Sequence, residues 1–241
     1  VRKATAEDKH SLQDLILHRV HEILLIASPY DAFVMEEDGG LTEQILQEYI
    51  GMNFSYAPRI WRADTAADAM EMISKNSFDM VIVMMRISDM DPISIATKIK
   101  NIHPKIPIIL LAFDDSELKQ LPDNFQDTAI DQVFIWSGNA NVFLVIVKQV
   151  EDRLNLKRDV EIGDVRCIIV IEDKPRYYSK FLPLIYKEIT YNIKRLMDKS
   201  LNDTERLLHM RARPKILLTT TYEEAQNYFK RYQKNTLGII S

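Results

Sequence analysis

Short apolar runs alternate with amphipathic stretches along this chain, and that alternation restricts the fold more than any other feature. Runs at Glu22–Ile26, Arg59–Ala63, Met80–Met85, Ile106–Leu111 and Gln132–Trp136 have the length and texture of strands buried on both faces. Between them, helical spacing marks Leu41–Tyr49, Thr65–Lys75, Ile93–Ile102 and Ser116–Leu121, and Asn141–Asn155 closes the series. Thr65-Ala66-Ala67-Asp68 has the Thr-x-x-acid form of a helix start. Thr5–Arg19 reads as a short leading helix, and Glu36-Glu37-Asp38-Gly39-Gly40 as a loop or a helix interruption. Five rounds of strand and helix imply a parallel sheet with helices on both faces.

Charged residues crowd Glu151–Glu161, and after them the pattern restarts. Val165–Ile171, Lys215–Thr219 and Leu237–Ile240 are strands, with a long helix from Arg176 after the first of them. Asn202-Asp203-Thr204 caps a further helix through Met210, and Thr221-Tyr222-Glu223-Glu224 is a capping box. The division expected is a helix over 1–20, a whole unit over 21–157, a linker over 158–164 and the first half of a second unit over 165–241. Ala63–Ile73 and Thr219–Phe229 resemble each other, so the second unit repeats the first.

Composition narrows the function. Thirty-one basic residues against 35 acidic ones give a net charge of −4 with no basic half, so there is no electrostatic footprint for nucleic acid. No apolar run approaches the ~18 residues of a membrane span. The first eight residues lack the apolar core of a signal peptide. A single cysteine, Cys167, forbids an internal disulfide and suits the cytoplasm. Six glycines are too few for phosphate-cradling loops, and no nucleotide fingerprint is present.

The stretch SFDMVIVMMRISDMDPISIATKIKNIHPKIPIILLAF (Ser77 to Phe113) resembles a response-regulator receiver domain, and CIIVIEDKPRYYSKFLPLI (Cys167 to Ile185) resembles a receiver's first strand with its acidic pair. The resemblance implies a doubly wound, flavodoxin-like α/β fold with strand order 2-1-3-4-5, followed by a truncated unit of the same kind. A tandem carrying VIEDKPRYYSKFLPLIYKEI and RARPKILLTTTYEEA is also similar to the N-terminal region of bacterial multidomain proteins that continue into a phosphoenolpyruvate synthase or pyruvate phosphate dikinase-like part. None of the catalytic residues of that part is present.

Phosphoryl transfer to an aspartate needs the nucleophile, carboxylates for Mg²⁺, a cation and a hydroxyl. Carried over position by position, the resemblance puts the acidic pair at Ala27 and Ser28, the acceptor at Met84 and the hydroxyl at Ala112. It puts the lysine at Trp136, followed by Ser137 in place of proline, and the aromatic switch at Val133. Five chemical roles are lost together, so the first unit reads as a pseudo-receiver whose pocket holds no charged group. Met84 and Trp136 are expected to fill it at the carboxyl edge of the sheet. In the second unit Glu172 and Asp173 occupy the metal-binding pair, an incomplete Mg²⁺ site whose acceptor position follows Ser241.

Other polar residues have plainer readings. Asp31, Asp79, Asp89, Asp91, Asp114 and Asp115 read as loop and helix-cap residues, and Met80, Met84 and Met85 as core. His10, His18, His21, His103 and His209 lack metal-ligand spacing. Arg206, His209, Arg211, Arg213 and Lys215 read as a solvated helix end. Tyr177, Tyr178 and Phe181 read as helix anchors on the sheet, and Cys167 as a small buried hydrophobe.

The expectation is a non-enzymatic signal-transduction module that works by protein docking, within a larger chain, in the cytoplasm, without cofactor, membrane or nucleic acid. The alternative is a phospho-accepting, Mg²⁺-dependent receiver acting through the second unit. An open third strand and the apolar stripe of the long helix predict a homodimer through 165–241.

Overall fold

The computed structural model describes residues 18–51, 57–122, 128–136, 138, 140–200, 202 and 213–241. β1 (Glu22–Ile26), β2 (Arg59–Ala63), β3 (Met80–Met84), β4 (Ile108–Ala112) and β5 (Gln132–Ile135) form a parallel sheet in the order β2-β1-β3-β4-β5. This is the flavodoxin-like, doubly wound arrangement expected from the alternation. Strand side chains alternate between two buried layers. Ile23, Leu25, Met80, Ile82, Ile109 and Phe134 belong to one core, and Leu24, Ile26, Val81, Val83, Ile108 and Leu110 to the other.

The helices of this unit are α1 (Pro29–Gly39), α2 (Leu41–Gly51), α3 (Ala66–Lys75), α4 (Pro92–Ile102), α5 (Asp115–Leu118) and α6 (Asn141–Glu161). α1 corrects the loop expected at Glu36–Gly40. Ser28 caps it by accepting from Asp31 N, proline stands at its first turn, and Gly40 ends it with φ 49°. Only after that left-handed break does α2 begin. The helices expected at Thr5–Arg19 and Asn202–Met210 fall largely outside the described residues.

A second parallel sheet follows, β6 (Cys167–Ile171), β7 (Lys215–Thr219) and β8 (Thr236–Ile240), in the order β7-β6-β8. α7 (Pro175–Lys199) and α8 (Tyr222–Tyr232) accompany it. Its plan repeats the first three strands of the larger sheet. Ile26 pairs with Ala63 and Ile171 with Thr219, and the next amide donates to the same partner carbonyl in each case, Ala27 N to Ala63 O (3.1 Å) and Glu172 N to Thr219 O (3.0 Å). Two residues on, Thr65 and Thr221 cap α3 and α8 through their side chains. Among the described residues no helix is long and apolar enough to cross a membrane.

The two sheets are joined through α6 and α7. α6 does not stop near Asn155, inside the charged stretch, but continues to Glu161 because Glu151, Asp152 and Asn155 are buried rather than solvated. The apolar stripe of α7 is covered in part within the chain: Tyr178, Leu182 and Tyr186 join the core shared with α6 and the first sheet, while Leu184 stays exposed. Arg213 and Lys215, expected at a solvated helix end, are the partners of buried Asp152. The remaining residues of that basic cluster lie outside the described residues.

Candidate functional site at the carboxyl edges of the two sheets

In the first sheet, β1, β3, β4 and β5 deliver Ala27, Met84, Ala112 and Trp136 to one edge. Ala27 follows Ile26, which pairs with Val83, so Ala27 and Met84 stand side by side. Met84 pairs with Leu111, and Trp136 N donates to Ala112 O at 2.7 Å. Ala27, Met84 and Trp136 are buried in one core layer, where Trp136 meets Phe143 edge-on at 5.7 Å. Ala112, in alternation with Leu111, belongs to the opposite face, and Ser28 is spent on the α1 cap. Val133 is buried, and Ser137 lies outside the described residues.

That edge nevertheless carries charge, contrary to the expectation of an uncharged pocket. Asp31, in the first turn of α1, is 1% exposed and Glu117, on α5, is 4% exposed. Arg86, two residues past β3, lies 2.7 Å from Glu117 Oε1, and Glu117 Oε2 accepts from Phe113 N at 2.8 Å. Burial pushes the Asp31 carboxyl above its ordinary value, with Glu117 adding to the rise and Arg86 opposing it. Ser28 Oγ accepts from the Asp31 amide and tempers the rise, without the geometry of a hydrogen bond to either carboxylate oxygen. Sequence reading missed Arg86 and Glu117 and gave Asp31 a loop role. Only the sparse buried positions flanking Asp31, Ala32 and Met35, hint that its helix faces inward.

The neighbouring acids do behave as caps. Asp79 accepts from His21 N and Glu22 N, at the far end of the strands. Asp89 accepts from Ala66 N and Ala67 N, and these backbone donors at the start of α3 hold its carboxyl below the usual range. Asp91 caps α4 and Asp114 caps α5, and their hydrogen bonds, chiefly with Ser94 and Ser116, lower both carboxyls. Asp115 pairs with Arg176 at 3.5 Å.

In the second sheet, Glu172 and Asp173 stand directly past β6, where Ala27 and Ser28 stand past β1. Glu172 is half-buried with Oε1 accepting from Lys174 N at 3.0 Å, and Asp173 is exposed. Leu25 pairs with Ile82 and Val170 with Ile240, so the Met84 position of this sheet follows Ser241. No group of three or more His, Cys, Asp or Glu able to hold a metal occurs among the described residues.

A third polar constellation lies between the sheets. Asp152 on α6 is fully buried and accepts from Arg213, from Tyr186 OH (3.0 Å) and from Ile216 N (3.3 Å), with Lys215 Nζ at 3.2 Å. Burial pushes its carboxyl up, but Arg213, Lys215 and the hydrogen bonds from Ile216 N and Tyr186 OH outweigh burial and hold it below the ordinary value. Gln149 Nε2 donates to Ile216 O at 3.2 Å and Arg153 to Leu218 O at 3.1 Å, so α6 satisfies the outer edge of β7. α7 does the same for β5: Tyr178 OH donates to Val133 O, and Ile135 N donates to Ser179 Oγ at 2.9 Å. Each unit seals a strand edge of the other.

No family model matches the chain, and no curated protein matches it. It is similar in structure to the signal receiver domain of an HD domain-containing protein from Pseudomonas fluorescens Pf-5, at 20% identity over 58% of this chain and 93% of that one, with a TM-score of 0.40. It is similar to the N-terminal domain of a response regulator/sensory box/GGDEF 3-domain protein from Carboxydothermus hydrogenoformans, at 18% identity over 57% and 98%, TM-score 0.43. A third likeness is to the response regulator TrrA from Thermotoga maritima, in complex with Mg²⁺-BeF, at 19% identity over 54% and 98%, TM-score 0.41. The fold itself is fixed independently, by strand order and register: a five-stranded flavodoxin-like sheet followed by three strands of the same plan.

Proposed function

We propose that this chain is a non-enzymatic signal-transduction module in which a phosphate-inert pseudo-receiver serves as the docking platform for the receiver-like unit that follows it. The observation that carries this reading is the seam between the sheets, where α7 satisfies the β5 edge and α6 satisfies the β7 edge. A surface built with reciprocal backbone caps and a buried charge cluster is specific to its occupant. The carboxyl edge of the first sheet supports the inert half of the reading, since Met84 has no nucleophilic oxygen and Trp136 no charge. The module belongs, on this reading, to a larger multidomain cytoplasmic protein of the phosphoenolpyruvate synthase or dikinase-like kind, and its partners are proteins. The acidic balance, a net charge of −4, agrees with that.

A second reading, phospho-acceptance through the second unit, is favoured by the position of Glu172 and Asp173 past β6, with Asp173 exposed. One experiment tests the first reading. The chain is incubated with acetyl phosphate and Mg²⁺, and peptide masses are read under acidic conditions that preserve acyl phosphates. The proposal expects no phosphoryl gain on any peptide from residues 22–161; a stoichiometric gain there overturns it.

A further inference from the structure

α7 carries apolar residues on two opposite sides. Tyr178, Leu182 and Tyr186 are buried in the seam with the first unit. On the side away from it, Tyr177, Leu184 and Tyr191 are 49%, 63% and 57% exposed. They recur every seven residues, about 10.5 Å apart along a helix that runs unbroken through Pro183. An α-helix turns such a row by only about 20° per seven residues, so the three form one narrow line. Lys180, Lys187 and Lys194 repeat with the same period beside it, all exposed and none with an ion-pair partner among the described residues. Six exposed basic residues of α7 stand against two exposed acidic ones, Glu188 and Asp198, on a chain whose net charge is −4.

We infer that this face of α7 docks an acidic amphipathic helix of another protein, one with an apolar residue every seven positions and Asp or Glu beside it. A seven-residue apolar row is the seam along which two helices stay in register side by side. The lysine row next to the seam selects the charge of the incoming helix. A second copy of this chain is the poorer occupant. Antiparallel pairing sets the lysine row against itself, and parallel pairing sets it against Phe181, Glu188 and Arg195, with one acid for three lysines. A lipid surface is poorer still, because a helix lying in the headgroups buries a stripe about 100° wide or more, not a line one residue across. The inference goes beyond the docking of the two units, and rests on that reading only for the seam that fixes α7.

The test uses the whole chain and a labelled helical peptide of three Leu-Ala-Ala-Glu-Glu-Ala-Lys repeats, whose Leu and Glu rows complement α7. Binding is followed by fluorescence anisotropy. The controls are a peptide of the same composition in rearranged order, a counterpart with Lys for Glu, and phosphatidylcholine vesicles containing phosphatidylserine. The expected result is saturable one-to-one binding of the first peptide, at least tenfold tighter than either control peptide, weakened by salt and without vesicle binding. Affinity is expected to fall at least tenfold in Leu184→Glu and in the double change Lys180→Glu with Lys187→Glu. It is expected to stay unchanged in Tyr30→Ala, which removes an exposed aromatic from α1. All these side chains are exposed, so the variants are expected to fold, and protection of the Ile135 and Ile216 amides reports that they do. If Leu184→Glu loses that protection, the lysine pair decides. Absence of saturable binding overturns the inference, as do equal binding of the rearranged peptide, binding that survives the changes on α7, and capture by vesicles instead. Tight peptide binding by a parent chain whose Ile135 and Ile216 amides exchange freely keeps this inference and overturns the docking of the two units.

Discussion

The two sheets begin alike and finish differently. β1 and β6 occupy the same position between their neighbours, and Ala27 and Glu172 make the same backbone bond at the strand end. Yet the first pair of side chains there is Ala27-Ser28 and the second is Glu172-Asp173. The facing edges differ as well: β5 and β7 are sealed by helices of the opposite unit, whereas β8 exposes Leu237, Ile239 and Ile240. Backbone plan and edge chemistry therefore vary independently. The apolar strands specify the register, and a few polar side chains decide what an edge can hold.

The largest effect is expected where the sealed edges meet. Asp152→Ala leaves Arg213 and Lys215 buried without their shared partner, and loss of ~3–5 kcal/mol is expected in urea unfolding. A loss below ~1 kcal/mol, the range of exposed ion pairs, contradicts the role given to this cluster. Its pH dependence has a definite sign. The folded Asp152 carboxyl is held below its unfolded value, so its contribution is complete above the ordinary aspartate pKa of ~4 and is lost as pH falls through the folded value. Asp31 acts oppositely: its raised folded value makes stability decline as pH rises from ~4 through that value.

The open edge gives a smaller effect, on association rather than folding. Half-exposed apolar side chains on a strand that is an edge among the described residues favour pairing with a second copy through 165–241. The drive is less than the sequence suggests, because Tyr178, Leu182 and Tyr186 of α7 are already covered by the first unit. Light scattering at micromolar concentration is expected to show a dimer that Ile239→Lys converts to monomer, with stability changed by no more than ~0.5 kcal/mol. A parent chain that is monomeric under these conditions removes the dimer.

Much of the fold was legible because it depends on local pattern. The runs at Met80–Met84 and Cys167–Ile171 and the caps at Thr65 and Thr221 are signals within a few residues of each other. α1 was not legible, since its buried face consists of little more than Ala32 and Met35 beside a run of acids. The candidate sites were harder still. Asp31, Arg86 and Glu117 come from three separate elements, and nothing local says that they converge. Nor does charge reveal its own burial: Glu151, Asp152 and Lys215 have the composition of a solvated linker and helix end, and become core only because the second unit docks on α6.

The most direct test of that docking is amide hydrogen exchange at the sealed edges, with β8 as the internal control. Ile135 N donates to Ser179 Oγ and Ile216 N to Asp152 Oδ2, both in dry surroundings and across the seam. The amides of Ile135 and Ile216 are expected to exchange only at the rate of global unfolding, while alternate amides of β8 exchange orders of magnitude faster. If Ile135 and Ile216 exchange as fast as the free edge of β8, the two units are not docked as described, and the pseudo-receiver is not the platform for its neighbour.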